Sequence, residues 1–170
     1  MTKVINFFAG PGAGKSTLSA GLFHEMKLKG INVELVTEFA KDLTWEGHMD
    51  DLRNPMYVTG TQLRRMQRLV GQVDYIITDS PILVACLYIH PKLRTPFEEI
   101  LVHYHNQFNN INFLVERVKN YQPKGRNQTY EDALKLDQEV RSLPVPVSEG
   151  ITPIVGDGAG VHMALAELKL

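Results

Sequence analysis

The chain has 170 residues, of which 44% are hydrophobic and 22% are charged, a composition typical of one globular domain. A formal net charge of −1 excludes a general electrostatic attraction to nucleic acid, and a single cysteine, Cys86, excludes a disulfide framework. Since no apolar run approaches the ~20 residues of a membrane-spanning helix, we expect one cytoplasmic domain over residues 1–170, without membrane contact and of unspecified oligomeric state.

A glycine-rich turn follows the first apolar run, residues 4–8, which predicts a buried strand. In such a turn successive backbone N–H groups face one anion, while Lys15 reaches the β- and γ-phosphates of a nucleotide and Ser16 binds Mg²⁺. The dipole of the following helix adds to this attraction. The usual pattern starts with glycine where this chain has Ala9, a minor variant at the strand end. The predicted nucleotide-binding residues are Gly10, Pro11, Gly12, Ala13, Gly14, Lys15, Ser16 and Thr17.

Further apolar runs alternate with helical patterns. Strands are predicted at residues 32–37, 75–78, 111–115 and 151–155, and the first helix at residues 16–29. This alternation predicts an α/β domain with a mostly parallel sheet.

Glu38 follows the second predicted strand. Ligands of open parallel sheets bind beyond the carboxyl ends of the strands, so Glu38 is expected on the γ-phosphate side of the turn. There its carboxylate would accept the proton of an attacking hydroxyl; the alternative is an acid at a helix start. Asp42, one helical turn further on, is a weaker candidate of the same kind. Trp45, the only tryptophan, is either a core residue or a stacking platform for a base.

Residues 60–72 predict a helix whose apolar face lies almost opposite Arg64, Arg65 and Arg68. These arginines are either a solvated face or contacts to the phosphates of a substrate strand. Gln62 falls on the edge of the apolar face, where its amide needs a partner. It hydrogen-bonds either a nucleobase edge or a backbone group.

Asp79 ends the third predicted strand. A hard carboxylate at this position suits a ligand of Mg²⁺ or of its water, together with Ser16. The alternative is a capping aspartate for the next helix.

A polar segment after the fourth strand is flanked by Arg117 and Arg126. We expect a lid at about residues 117–128 that closes over a nucleotide, with both guanidinium groups against the charge of the transferred phosphoryl. The alternative is a basic surface loop. After it, Thr129 and Asp132 predict a capping box at a helix start. The last strand ends in Gly156, Asp157 and Gly158, which form either an adenine slot or a plain strand-to-helix turn.

These motifs together resemble the nucleoside and nucleotide kinase branch of the phosphate-loop fold. The resemblance implies a three-layer α/β sandwich with five parallel strands, the loop strand at its centre, a short lid, ATP as phosphate donor and Mg²⁺. A narrower similarity, to small bacteriophage ATP-binding proteins, lies in Thr-Glu-Phe-Ala-Lys-Asp-Leu at residues 37–43, Thr-Asp-Ser-Pro at residues 78–81 and Lys-Gly-Arg-Asn-Gln at residues 124–128. Some of these proteins look like kinases that phosphorylate 5-hydroxymethyluracil in phage DNA, on the way to hypermodified thymine.

The predicted function is therefore an ATP-dependent kinase acting on the 5-hydroxymethyl group of that base in DNA, which is the implied partner. A phage-encoded protein of this type would work in the host cytoplasm. The predicted catalytic residues are Lys15, Glu38, Asp79, Arg117 and Arg126, and the predicted acceptor-binding residues are Asp42, Trp45, Gln62, Arg64, Arg65 and Arg68. Two alternatives stay open: a kinase for a small nucleoside or nucleotide, and an ATP-gated switch that transfers nothing.

Overall fold

Five parallel strands form one sheet in the computed structural model, which describes residues 1–146 and 149–170. The strands are β1 (Lys3–Phe8), β2 (Val33–Val36), β3 (Tyr75–Thr78), β4 (Asn109–Glu116) and β5 (Thr152–Val155). Their order is β2-β3-β1-β4-β5, and every neighbouring pair is parallel. The predicted five-stranded α/β class is confirmed, with the strand that precedes the glycine-rich turn at the centre.

Helices cover both faces of the sheet. They are α1 (Lys15–Leu28), α2 (Phe39–Glu46), α3 (Met49–Leu52), α4 (Pro55–Gln67), α5 (Arg94–His105), α6 (Tyr130–Val140) and α7 (Gly158–Leu168), with 3-10 helices at Ile82–Tyr88 and Pro91–Leu93. Alternate β1 residues face opposite layers: Ile5 and Phe7 pack with α1 and α7, whereas Val4 and Phe8 pack with the other layer. Among the residues that the structure describes, no helix has the length and apolar character needed to cross a membrane.

Two element boundaries differ from the prediction. The helix predicted from residue 60 begins at Pro55, because the side chain of Asn54 accepts from the amide of Tyr57 and proline suits the first helical position. The strand predicted at residues 111–115 begins at Asn109, because α5 already ends at His105. The predicted capping box of Thr129 and Asp132 is present at the start of α6.

A buried polar network crosses the middle of the sheet. Asn6 of β1 donates to the side-chain oxygens of Asn110 and Asn112, both at 3.0 Å. The amides of Asn110 and Asn112 donate to the carboxylate of Glu149, at 3.2 and 2.9 Å, and Nε2 of the buried His105 lies 2.9 Å from the same carboxylate. Glu149 therefore serves as a common acceptor for groups on α5 and β4.

Candidate active site

The predicted phosphate loop, residues 10–17, covers the turn after β1 and the first residues of α1, which begins at Lys15. Lys15 Nζ donates to the carbonyls of Ala9 and Gly10, at 2.8 and 2.9 Å. Desolvation lowers the pKa of Lys15, while the charges of Glu38 and Asp79 act in the opposite direction. Gly14, at the N-cap of α1, provides no side-chain cap, so the first helical amides are left for another acceptor.

Two glycines of the phosphate loop are required by close packing. At Gly14, where φ is +118°, a Cβ would stand 2.2 Å from the carbonyl oxygen of Gly156. At Gly12, where φ is +74°, a Cβ would stand 2.8 Å from the ring of Tyr121. Any side chain at either position would displace a neighbour and strain the backbone. The end of β5 and the segment after β4 therefore both fix the shape of the loop.

Ser16 and Asp79, the two predicted metal ligands, lie in contact. Ser16 Oγ donates to Oδ2 of Asp79 at 2.6 Å. Asp79 is 3% exposed, and its Oδ1 is buried without a hydrogen-bond partner among the described residues. The next 3-10 helix has Pro81 at its N-cap, so Asp79 does not cap it. A buried carboxylate oxygen without a donor, beside a hydroxyl, fits the oxygen ligands that Mg²⁺ requires.

Glu38 stands at the N-cap of α2 but makes no side-chain capping bond. Its carboxylate lies on the wall of the cleft that contains Lys15 and Asp79. Desolvation raises the pKa of Glu38, and Asp79 adds to this rise, while Lys15 opposes it. A carboxylate with a raised pKa is a better proton acceptor than an ordinary one, which suits a general base.

The cleft has a volume of about 620 Å³. The phosphate loop and Glu38 form its polar end, and apolar side chains from α2, α3, α4 and the 3-10 helix after β3 line another part. These apolar residues are Trp45, Met49, Leu52, Pro55, Val58, Val84, Ala85 and Tyr88. A largely apolar wall beside a few convergent polar groups is typical of a small-molecule or base-binding site.

The segment predicted as a lid, residues 117–128, also lines the cleft. Tyr121 donates its hydroxyl hydrogen to the carbonyl of Gln128 at 2.6 Å, and Asn127 Nδ2 donates to Thr44 Oγ1 at 3.3 Å. A Cβ on Gly125 would stand 2.6 Å from the ring of Trp45. Trp45 is 60% exposed, so the core interpretation of this tryptophan is wrong and the ring lies at the cleft, against the lid.

The two predicted lid arginines occupy different places. Arg126 lines the cleft and donates to the carbonyl of Gln122. Arg117 lies against the phosphate loop, where Nη2 donates to the carbonyl of Pro11 at 2.7 Å. The guanidinium groups of both arginines approach the ring of Tyr121, at 5.8 Å for Arg117 and 5.6 Å for Arg126.

Gln62 is buried and bonded within the protein. Its side-chain oxygen accepts from the amide of Phe39 at 3.0 Å, and its Nε2 donates to Thr78 Oγ1 at 3.4 Å. With 4% exposure the side chain does not reach the cleft. The prediction of a nucleobase contact is therefore wrong, and the alternative of an internal partner is the one that the structure shows.

The carboxylate of Asp42 forms an ion pair with Arg65 at 2.8 Å. The guanidinium of Arg65 also lies 4.7 Å from the ring centre of Phe39. Neither Asp42 nor Arg65 lies on the cleft wall. Direct substrate contacts by this pair are therefore not supported, because each charge already has its partner. The same pairing leaves Glu38 as the better candidate base.

A second depression, the arginine groove, runs along the outer side of α4. It has a volume of about 330 Å³ and is lined by Gly60, Thr61, Arg64, Arg65 and Arg68. Arg64 and Arg68 are exposed. Helical spacing places Val58, which lines the cleft, on the same stripe as Thr61 and Arg65. The groove and the cleft therefore border different parts of the same helix, and no residue that the structure describes lines both.

The predicted adenine slot at Gly156, Asp157 and Gly158 lies beside the phosphate loop and at the start of α7. A Cβ on Gly156 would stand 1.9 Å from the carbonyl oxygen of Ala13. Asp157 caps α7 by accepting from the amide of Ala159 at 2.9 Å. None of the three lies on the cleft wall, so they support the loop and the last helix, and their contact with adenine stays a prediction.

Sequence reasoning missed Asp137 and Tyr121. Asp137 Oδ1 accepts from the amide of Gly10, and its Oδ2 accepts from Nε of Arg117, both at 2.8 Å. The available signal was its place on the face of α6 that carries the buried Ala133 and Val140. An acid on an apolar stripe needs a partner. Tyr121 lies between Asn120 and Gln122 in a polar segment, and no sequence pattern marked it as functional.

A central parallel strand, a glycine-rich phosphate loop and a helix that starts at Lys-Ser-Thr define a P-loop NTPase, here with the fold of a nucleoside kinase. The chain belongs to the family described as "AAA domain", whose profile matches residues 4–145. A deoxyadenosine kinase from M. mycoides, solved with bound dATP, has a TM-score of 0.58 and 15% identity. The alignment covers 98% of this chain and 100% of that chain, and it shows the common fold. No curated protein matches the sequence.

Proposed function

We propose that the protein is an ATP-dependent kinase that phosphorylates an alcohol, the 5-hydroxymethyl group of 5-hydroxymethyluracil in DNA. The observation that carries this proposal is the position of Glu38, whose raised pKa and place on the cleft wall suit a base beside Lys15 and Asp79. A carboxylate there is needed to activate an acceptor hydroxyl. Nucleotide binding alone would not require it.

The candidate site residues have separate roles in the proposed reaction. Backbone amides of the phosphate loop and Lys15 bind the β- and γ-phosphates. Ser16 and Asp79 would hold Mg²⁺, which when bound neutralises charge on those phosphates. Glu38 accepts the hydroxyl proton as the new O–P bond forms, and the bond to the leaving ADP breaks. Arg126, on the cleft wall, stabilises the charge of the transferred group.

The acceptor side of the cleft supports a flat base. Trp45 presents an exposed ring beside apolar residues of α3 and α4, which suits stacking on a pyrimidine. The arginine groove, with Arg64 and Arg68 free of ion pairs among the described residues, suits phosphates of the same strand. A target base in a duplex would first be turned out of the stack, at a cost of a few kcal/mol.

The test is transfer of radiolabel from [γ-³²P]ATP to DNA that contains 5-hydroxymethyluracil, compared with the free nucleoside. Labelled DNA, with KM rising steeply with salt, is the expected result. The double variant Arg64→Ala/Arg68→Ala should raise KM for DNA at least tenfold and leave ATP binding unchanged. The double variant Lys27→Ala/Lys29→Ala removes the same charge on α1 and just beyond its end, and serves as the control.

A kinase for a small nucleoside is the second candidate, because the fold likeness to deoxyadenosine kinase extends over nearly the whole of both chains. In that case label would appear on the free nucleoside alone, with little salt dependence and no effect of the α4 arginines. ATP hydrolysis that neither acceptor stimulates would favour the ATP-gated switch.

A further inference from the structure

Asp137 joins two parts of the site that are far apart in the sequence. One carboxylate oxygen accepts from the amide of Gly10, at the start of the phosphate loop, and the other accepts from Nε of Arg117, at the start of the lid. Both bonds measure 2.8 Å. Asp137 itself lies on α6, which is anchored in the core through Ala133 and Val140. A rigid helix therefore holds loop and lid together through one side chain.

The hydrogen bonds of Arg117 leave one of its buried nitrogens, Nη1, without an acceptor in the described part of the chain. Its side chain is 9% exposed, Nε is bound to Asp137, and Nη2 is bound to the carbonyl of Pro11. Nη1 is buried and has no partner among the described residues. It lies 3.3 Å from the place where a Cβ on Gly12 would stand, so it borders the phosphate loop. A buried guanidinium N–H without an acceptor is unfavourable unless a ligand supplies one.

We propose that Asp137 is a positioning residue: it fixes Arg117 against the phosphate loop and thereby presents Nη1 to a phosphate bound there. This inference rests on the proposed function, since it assumes that the loop binds a nucleotide. Asp137 does not line the cleft, so its proposed role is exerted through Arg117. Its bond to Arg117 is charge-assisted and shared with a loop amide, so it sets both the direction of the guanidinium and its distance from the loop.

The test variant is Asp137→Asn. Asparagine has the same shape and can still accept from the amide of Gly10, but its NH₂ group cannot accept from Nε of Arg117. Glu139→Gln is the matched control, because it removes the same charge from an exposed position on the same helix. The measurements are kcat, KM for ATP, ATP affinity by calorimetry and the melting temperature. We expect a loss of about tenfold or more in kcat/KM for Asp137→Asn and less than twofold for Glu139→Gln.

A double-mutant cycle separates positioning from simple structural support. If Asp137 acts through Arg117, Asp137→Asn should change kcat/KM by less than about twofold in an Arg117→Ala background. An equal loss in both backgrounds would overturn the proposal, and so would wild-type behaviour of Asp137→Asn. The cycle still distinguishes the two roles if Asp137→Asn also lowers the melting temperature. A loss of kcat/KM caused by general destabilisation would persist in the Arg117→Ala background. A wild-type protein that fails to bind ATP would refute the proposed function itself, a result that the first calorimetric titration reveals.

Discussion

At the scale of single residues, Glu38 carries the chemistry of the proposed reaction. We expect Glu38→Gln to keep ATP affinity within about threefold and to lose transfer by ~10²–10⁴-fold, since the amide accepts no proton. Calorimetry gives the affinity, and initial rates with a saturating acceptor give the transfer. The isosteric substitution keeps the shape of the cleft. A near-normal rate would move the role of base to Asp79, because Asp42 is paired with Arg65.

The pKa of Glu38 also leads to a prediction about stability. Desolvation raises this pKa above its ordinary value of 4.5, so the folded protein binds the proton more tightly than the unfolded chain. The stability that Glu38 provides is therefore complete below pH 4.5 and is lost as pH rises through the raised pKa. Glutamine is neutral throughout this range. Glu38→Gln should therefore be more stable than wild type at pH 8, with the difference shrinking towards pH 4.

Urea unfolding at several pH values checks this prediction. The exposed Glu167, changed to Gln, is the control and should show no comparable pH-dependent gain. A variant less stable than wild type at pH 8 would mean that attraction to Lys15 outweighs the desolvation of Glu38. Together with the loss of transfer, the expected gain would identify Glu38 as a residue that favours activity at the expense of stability.

At the scale of elements, the buried polar network that joins α5, β4 and Glu149 contributes to the stability of the fold. Glu149→Ala removes the partner of the buried His105 Nε2 and the shorter bond of Asn112, whereas Asn110 keeps the carbonyl of His105 as an acceptor. We expect a loss of about 1–3 kcal/mol in the free energy of unfolding, because the buried His105 is left without its side-chain partner. Chemical denaturation measures it. The exposed Glu139→Ala should stay within about 0.5 kcal/mol, and an equal loss there would refute the special role of Glu149.

The elements also explain which site residues the sequence could reveal. Lys15, Ser16, Glu38 and Asp79 each stand in a local motif at the carboxyl end of a strand, and parallel strands bring those ends to one edge. Gln62 was misjudged because its partners, Phe39 and Thr78, belong to other elements. Asp137 was missed for the same reason. The sequence can show that a polar side chain on an apolar face needs a partner, but it does not show which residue of another element supplies that partner. A strand end followed by a functional residue carries its own local signal.

At the scale of the whole molecule, the sheet order decides how the site is assembled. The central β1 supplies the phosphate loop, its neighbour β3 supplies Asp79, and β4 on the other side leads to Arg117 and the lid. The strand order was predictable only through the resemblance, since alternating strands and helices fit several orders. The contact between Gly125 and Trp45 depends on how the lid meets α2, which local patterns do not encode.

The rise in melting temperature caused by ATP and Mg²⁺ tests whether the phosphate loop and Asp79 form one binding site. A nucleotide that binds only the folded protein stabilises it by ~2.7 kcal/mol at a concentration of 100 Kd, so ATP with Mg²⁺ should raise the melting temperature by several degrees. Asp79→Asn should keep most of the shift given by ATP with EDTA and lose the extra shift given by Mg²⁺, because the amide is a weaker ligand than the buried carboxylate. Asp74→Asn, a change of the same kind just before β3, is the control and should respond like wild type. Equal Mg²⁺-dependent shifts in Asp79→Asn and wild type would remove Asp79 from the metal site, while leaving the phosphate loop as the site of nucleotide binding.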